Sequence, residues 1–198
     1  MYNNQMLRFE KSYTVEKQIQ TKNTKNYYEN YVNFEETEKA CKKCDSYNKN
    51  WSCPPFEDDI KEVWKKYDNI DLILIKLNYN ELITENIYSK GDINTILNIT
   101  LFNEKRKILQ QLHKKTIEEE AYQNAMILST GYCNLCSTCT KIENKPCRYP
   151  KNKLYSMESL GALVSKTTEE LFNTEILWVD SDKGKIPEHL TLLVGLLY

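Results

Sequence analysis

An α/β fold is what this sequence predicts: a single domain in which helices pack on a mixed sheet, with a cysteine-rich loop set into it. Three observations carry the expectation. Leu72-Ile-Leu-Ile-Lys-Leu77 is a near-continuous aliphatic run, the mark of a strand covered on both faces. Segments with apolar residues at helical spacing flank that run on both sides. Four of the seven cysteines crowd into Gly131 to Pro150, directly after the short apolar stretch Met126-Ile-Leu-Ser129, and open α/β sheets present ligand loops at the carboxyl ends of strands.

A chain of 198 residues is long enough for one core and does not demand two domains. The formal charge is -1, without long single-sign blocks, so there is no electrostatic footprint for nucleic acid. Lys, Asn, Ile and Tyr are abundant, Arg is scarce and glycines number five, a bias that carries no functional information. The N-terminus lacks an apolar core of signal-peptide length, and the longest apolar run, Leu190 to Tyr198, is far short of a bilayer span. A cytoplasmic protein with no membrane partner is expected. In a reducing compartment clustered cysteines are metal ligands or catalytic thiols rather than disulfides, and an odd count speaks against full pairing.

In chain order, Leu7, Phe9, Tyr13, Val15 and Ile19 share one parity and predict one or two strands with a half-buried face. Tyr27, Tyr28, Tyr31, Val32 and Phe34 fall at helical spacing and run toward Cys41, so a helix delivers the first cysteines. Phe56, Ile60, Val63, Trp64 and Tyr67 predict an amphipathic helix, with Glu57, Asp58 and Asp59 at its amino end, where the helix dipole favours acids. After the aliphatic strand, residues 79–98 show no clear pattern. From about Ile99 to Asn124 the stripe of Leu101, Ile108, Leu109, Leu112, Ala121, Tyr122 and Ala125 predicts one long helix.

Met126 to Ser129 is then a short buried strand from which the cysteine loop opens at Gly131. Beyond Pro150, Ser156 is placed to cap a short turn that Gly161 ends, and Thr167 with Glu170 has capping-box spacing for a helix to about Phe172. Glu175 to Val179 and Leu190 to Tyr198 read as an antiparallel pair of terminal strands.

The cysteines form two groups. Two-residue gaps separate Cys133, Cys136 and Cys139, so three sulfurs can point inward from one curled backbone while Cys147, between Pro146 and Arg148, closes the site from the far side. Zinc sites usually spend their ligands as two separated C-x2-C pairs, whereas a triple run is how bacterial ferredoxins hold a cubane. The fourth cysteine lies seven intervening residues on, a departure from ferredoxin spacing that leaves the ligand count intact. A [4Fe-4S] cluster, a zinc ion and free redox thiols remain open, with the triple run favouring the cluster. Lys141, Lys145 and Arg148 offer positive charge nearby, or are simply solvated.

Cys41, Cys44 and Cys53 make up the first group, with Cys53 held ahead of Pro54 and Pro55. Tyr47 and Trp51 are bulky enough to exclude water there, or simply fill core. A fourth cysteine is missing, so a non-cysteine ligand completes the group, or its metal keeps an exchangeable position, or the two groups share a site. His113 and His189 are the only histidines and, with Asp45, are weak candidates for that ligand. No Gly-x-Ser-x-Gly, phosphate-binding glycine loop or His-Glu-x-x-His occurs, so chemistry, if present, runs through sulfur.

The pattern Cys41-x2-Cys44-x2-Tyr47-x3-Trp51-x-Cys53-Pro-Pro, with Gly131-x-Cys133-x-Leu-Cys136-x2-Cys139, Pro146-Cys147-Arg148-x-Pro150 and Ser156-Met-Glu158 ahead of Gly161, resembles a prokaryotic family described as predicted metal-binding proteins. The resemblance runs from about Tyr31 to the C-terminus and implies metal binding by these cysteines. Leu154-Tyr155 stands where that pattern has Arg-Pro. The leading expectation is an iron-sulfur protein passing single electrons to a redox partner protein. The alternatives are a zinc-stabilised adaptor without turnover and an enzyme acting at an open iron of the three-cysteine group.

Overall fold

A computed structural model of the chain describes residues 12–56 and 59–198. Five strands form one mixed sheet: β1 (Tyr13–Asn23), β2 (Asn69–Tyr79), β3 (Met126–Ser129), β4 (Tyr155–Ser156) and β5 (His189–Leu197), in the order β1-β2-β5-β3-β4. Among the described residues there are six α-helices: α1 (Thr24–Tyr31), α2 (Phe34–Cys41), α3 (Glu81–Thr84), α4 (Lys90–Ile99), α5 (Leu101–Glu118) and α6 (Val164–Phe172). The expected α/β class with a mixed sheet holds. Three of the strand pairings are antiparallel, and β3 with β4 is parallel.

The two central strands explain the aliphatic runs. Ile73, Ile75, Leu77 and Tyr79 of β2 join Leu190, Leu192, Val194 and Leu196 of β5 in one core, where α4 and α5 supply Ile93, Ile96, Ile108 and Leu112. Ile70, Leu72 and Leu74 of β2, with Leu193 and Leu197 of β5, belong to a second core, where they meet Tyr27, Trp64, Met157, Leu160 and Phe172. Both strands are therefore buried on both faces, which is why neither alternates with polar residues. Edge strand β1 differs: Val15 and Ile19 are exposed, contrary to the half-buried face expected of them, because no layer of the described residues covers them. Leu7 and Phe9 lie outside the described residues.

Other expectations are revised by tertiary contacts. The stripe at 56–67 forms a 3-10 helix over Ile60–Lys66 rather than an amphipathic α-helix. Trp64 is its buried residue, and its indole donates to Leu160 O at 2.9 Å; Glu57 and Asp58 lie outside the described residues. The unpatterned stretch at 79–98 holds α3 and most of α4. The long helix runs only from Leu101 to Glu118: Thr100 (φ -102°, ψ -86°) separates it from α4, and Glu119 (φ -107°, ψ 118°) leaves helical geometry at its other end. The Thr100 hydroxyl donates to Ile96 O (2.8 Å) and pairs with the Tyr79 hydroxyl (2.7 Å).

Thr167 does not cap a helix; α6 begins at Val164, and the Thr167 hydroxyl bonds Leu163 O and the buried Tyr27 hydroxyl. Glu175 to Val179 is not a strand, and β5 pairs instead with β2 and β3. A strand apolar on both faces belongs in the sheet interior, whereas Trp178 is exposed. Asparagine, abundant for no evident functional reason, proves useful locally. Asn23 and Asn33 cap α1 and α2, and Asn48, Asn144 and Asn173 take the left-handed conformations that their turns require.

The turn carrying Glu158 is fastened to the start of α2. Ser156 Oγ accepts from Ser159 N at 3.0 Å, and Gly161 ends the turn at φ 86°, as the sequence suggests. Asn33 N donates to Gly161 O (2.8 Å) and Leu163 N to Tyr31 O (2.8 Å). A Cβ on Gly161 would stand 2.9 Å from the Phe34 ring, in a backbone conformation that L side chains rarely adopt. Gly161→Ala is expected to destabilise the fold by about 1–3 kcal/mol in urea unfolding.

Candidate metal centre

Gly131, at φ 64°, turns the chain out of β3 into the cysteine loop. The loop returns as β4, parallel to β3, so this crossover is made by the cysteine loop itself. Cys133, Cys136, Cys139 and Cys147 line one small cavity together with Asn50 and Trp51. The long gap before Cys147 is absorbed by a tight turn. A 3-10 helix spans Thr140–Glu143, Asn144 is left-handed, Lys145 N donates to Thr140 O (3.0 Å), and Thr140 Oγ1 donates to Pro146 O (2.9 Å).

Cys41 is the last residue of α2, so a helix does deliver the first cysteines, but the single helix expected from Tyr27 is broken at extended Val32 and Asn33, where Val32 bridges to Ala162. Cys44 follows in a turn with its N–H on Cys41 O at 2.9 Å. The chain then curls back through left-handed Asn48, whose N–H donates to Pro54 O at 2.9 Å, bringing Cys53 toward the second group. All seven cysteines are free thiols; Cys44 is exposed and the others are partly buried.

Hydrogen bonds join the two groups into one lobe. Asn50 Nδ2 donates to Cys133 O (2.9 Å), and Cys133 N donates to Ser52 Oγ (3.1 Å). Trp51 N donates to Cys139 Sγ (3.4 Å) and its indole to Lys145 O (2.9 Å). Lys141 Nζ reaches Cys53 O (3.3 Å) and Pro55 O (3.1 Å). Lys141 and Arg148, which donates to Thr138 O at 2.9 Å, thus tie backbone together, while Lys145 pairs with Glu143 at 2.7 Å. Trp51 lines the cysteine cavity; Tyr47 does not.

Burial pushes the Cys41 thiol up to about 11, and the negative charges of Glu158, Cys53 and Cys44 add to it. Burial also raises Cys53, against the Ser52 hydrogen bond and the Lys141 charge. A bound cation reverses this by favouring thiolates. Among the described residues no three His, Cys, Asp or Glu side chains converge on one metal-ion position. The donor chemistry nonetheless fits a thiolate-held metal group: four thiols around one cavity, with an amide N–H directed at one sulfur.

Sequence reasoning did not assign Glu158 a role. It lines an open cavity of about 460 Å³ with Cys41, Glu38, Pro54 and Phe56, and also a cavity of about 570 Å³ with Lys105, Phe102, Thr130 and Trp178. Burial holds its carboxyl above the usual carboxylate range and Lys105 below the usual lysine range. Of the histidines, His113 lies on α5 beside Tyr67 and Thr116, and His189 Nε2 sits 3.0 Å from Glu175 O; neither borders the cavities that Cys41 and the four-cysteine loop line.

Asn50 is the buried hinge of the lobe, since its Oδ1 also accepts from Ser52 N (3.1 Å) and Ser52 Oγ (2.9 Å). Asn50→Ala strands these partners and is expected to cost about 2–3 kcal/mol, read by urea unfolding of the metal-free chain.

Among the described residues no helix is long and apolar enough to cross a membrane. No curated protein and no solved structure matches the chain. The family described as "Predicted metal-binding protein (DUF2284)" matches residues 28–197, well over half the sequence and both cysteine groups. The chain belongs to this family of predicted metal-binding proteins.

Proposed function

We propose that this is a cytoplasmic iron-sulfur protein in which Cys133, Cys136, Cys139 and Cys147 hold a [4Fe-4S] cluster and Cys41, Cys44 and Cys53 serve a second metal beside it. Its role is to pass single electrons to a partner protein. The carrying observation is that four thiols of one loop line a single cavity, bordered by Trp51, whose N–H donates to Cys139 Sγ. The triple two-residue spacing supports a cluster over zinc.

When bound, the cluster supplies a one-electron couple. Trp51 N–H stabilises negative charge on Cys139 sulfur and so favours the reduced state. Asn50 and Ser52 hold the two loops in register around the site. Leu135 and Tyr149 line the cavity yet are 42% and 50% exposed, giving a partner protein an apolar contact beside the sulfurs. The near-neutral charge gives no reason to invoke nucleic acid.

Anaerobic purification with iron, acid-labile sulfide and zinc counts tests this reading. Roughly four iron and four sulfide per chain are expected from the main site, and Cys139→Ser is expected to bleach the visible absorption. A colourless protein with stoichiometric zinc and no sulfide after reconstitution overturns it in favour of the zinc-stabilised adaptor.

A further inference from the structure

We propose that Glu158 is the fourth protein ligand of the metal held by Cys41, Cys44 and Cys53. The inference rests on the reading that these three cysteines bind metal. Glu158 Oε2 is buried and has no hydrogen-bond partner, and the residue shares a cavity wall with Cys41. A buried carboxyl oxygen left unpaired is costly, and a coordinated cation relieves that cost.

The competing donors are engaged or misplaced. Glu38, in the same cavity, is exposed and lies 3.1 Å from Lys42 Nζ. Asp59 Oδ1 accepts from Lys61 N at 3.1 Å. Asp45 is exposed and lines neither cysteine cavity, and the two histidines lie elsewhere. Lys105, the buried cation that feels the Glu158 charge, gives its hydrogen bond to Thr130 O at 2.5 Å.

The frame is rigid enough for the pairing to matter. Cys41 ends α2, and α2 begins at the Asn33–Gly161 hydrogen bond, three residues beyond Glu158 on the same turn. A carboxylate is a harder donor than thiolate, so this metal differs from one held by four sulfurs.

The test uses the full chain, reconstituted anaerobically with ferrous iron and sulfide and read by metal content per chain and electron paramagnetic resonance. Glu158→Gln is expected to lose the increment of metal that Cys41→Ser loses and to retain the increment that Cys139→Ser removes. Glu158→Cys is expected to regain the lost increment with an altered spectrum, which also guards against a folding defect. Wild-type metal content and spectrum in Glu158→Gln, alongside loss in Cys41→Ser, overturn the proposal while sparing the metal reading. Wild-type content in Cys41→Ser overturns both. Equal metal loss in Lys105→Met makes Glu158 part of a structural charge pair and overturns the ligand role.

Discussion

Burial of β2 and β5 on both faces is the constraint on which the rest of the structure depends. Between them they carry both cores, and the short strands β3 and β4 stand in the sheet because β5 pairs with β3. The cysteine loop leaves from β3 and returns as β4, so its two ends are held by the same sheet. The first cysteine group reaches it from the other direction, at the end of a helix pinned to the turn that follows β4.

Within the lobe the organising force is hydrogen bonding between two loops that have little regular structure of their own. Loops tolerate such positions only when their backbone groups find partners. Here Asn50, Ser52, Trp51 and Lys141 satisfy backbone groups, and one sulfur, of the opposite loop. The same contacts that close the lobe therefore also shape the electrostatics of its thiols. A metal bound there gains from preformed geometry, and the geometry gains from the metal.

Much of this is legible locally. The aliphatic character of residues 72–77, the strand before Gly131 and the turn from Ser156 to Gly161 follow from periodicity and capping, which act over one or two turns. Periodicity misleads where distant partners intervene. The run from Ile99 is interrupted at Thr100, whose hydroxyl meets the Tyr79 hydroxyl, and Trp64 belongs to a 3-10 turn from which its indole finds Leu160 O. Val15 and Ile19 keep strand alternation but lie exposed on an edge strand, which no local pattern reveals.

By itself the sequence determined which side chains are available for metal chemistry, and that Cys133, Cys136 and Cys139 lie close together, because two-residue gaps keep them within one curl of backbone. Only the tertiary structure decided that Cys147 shares their cavity, that Trp51 donates to Cys139, and that Glu158 borders Cys41. The last two adjacencies span dozens of residues and are set by sheet order and loop docking, which depend on burial across the whole fold rather than on spacing along the chain.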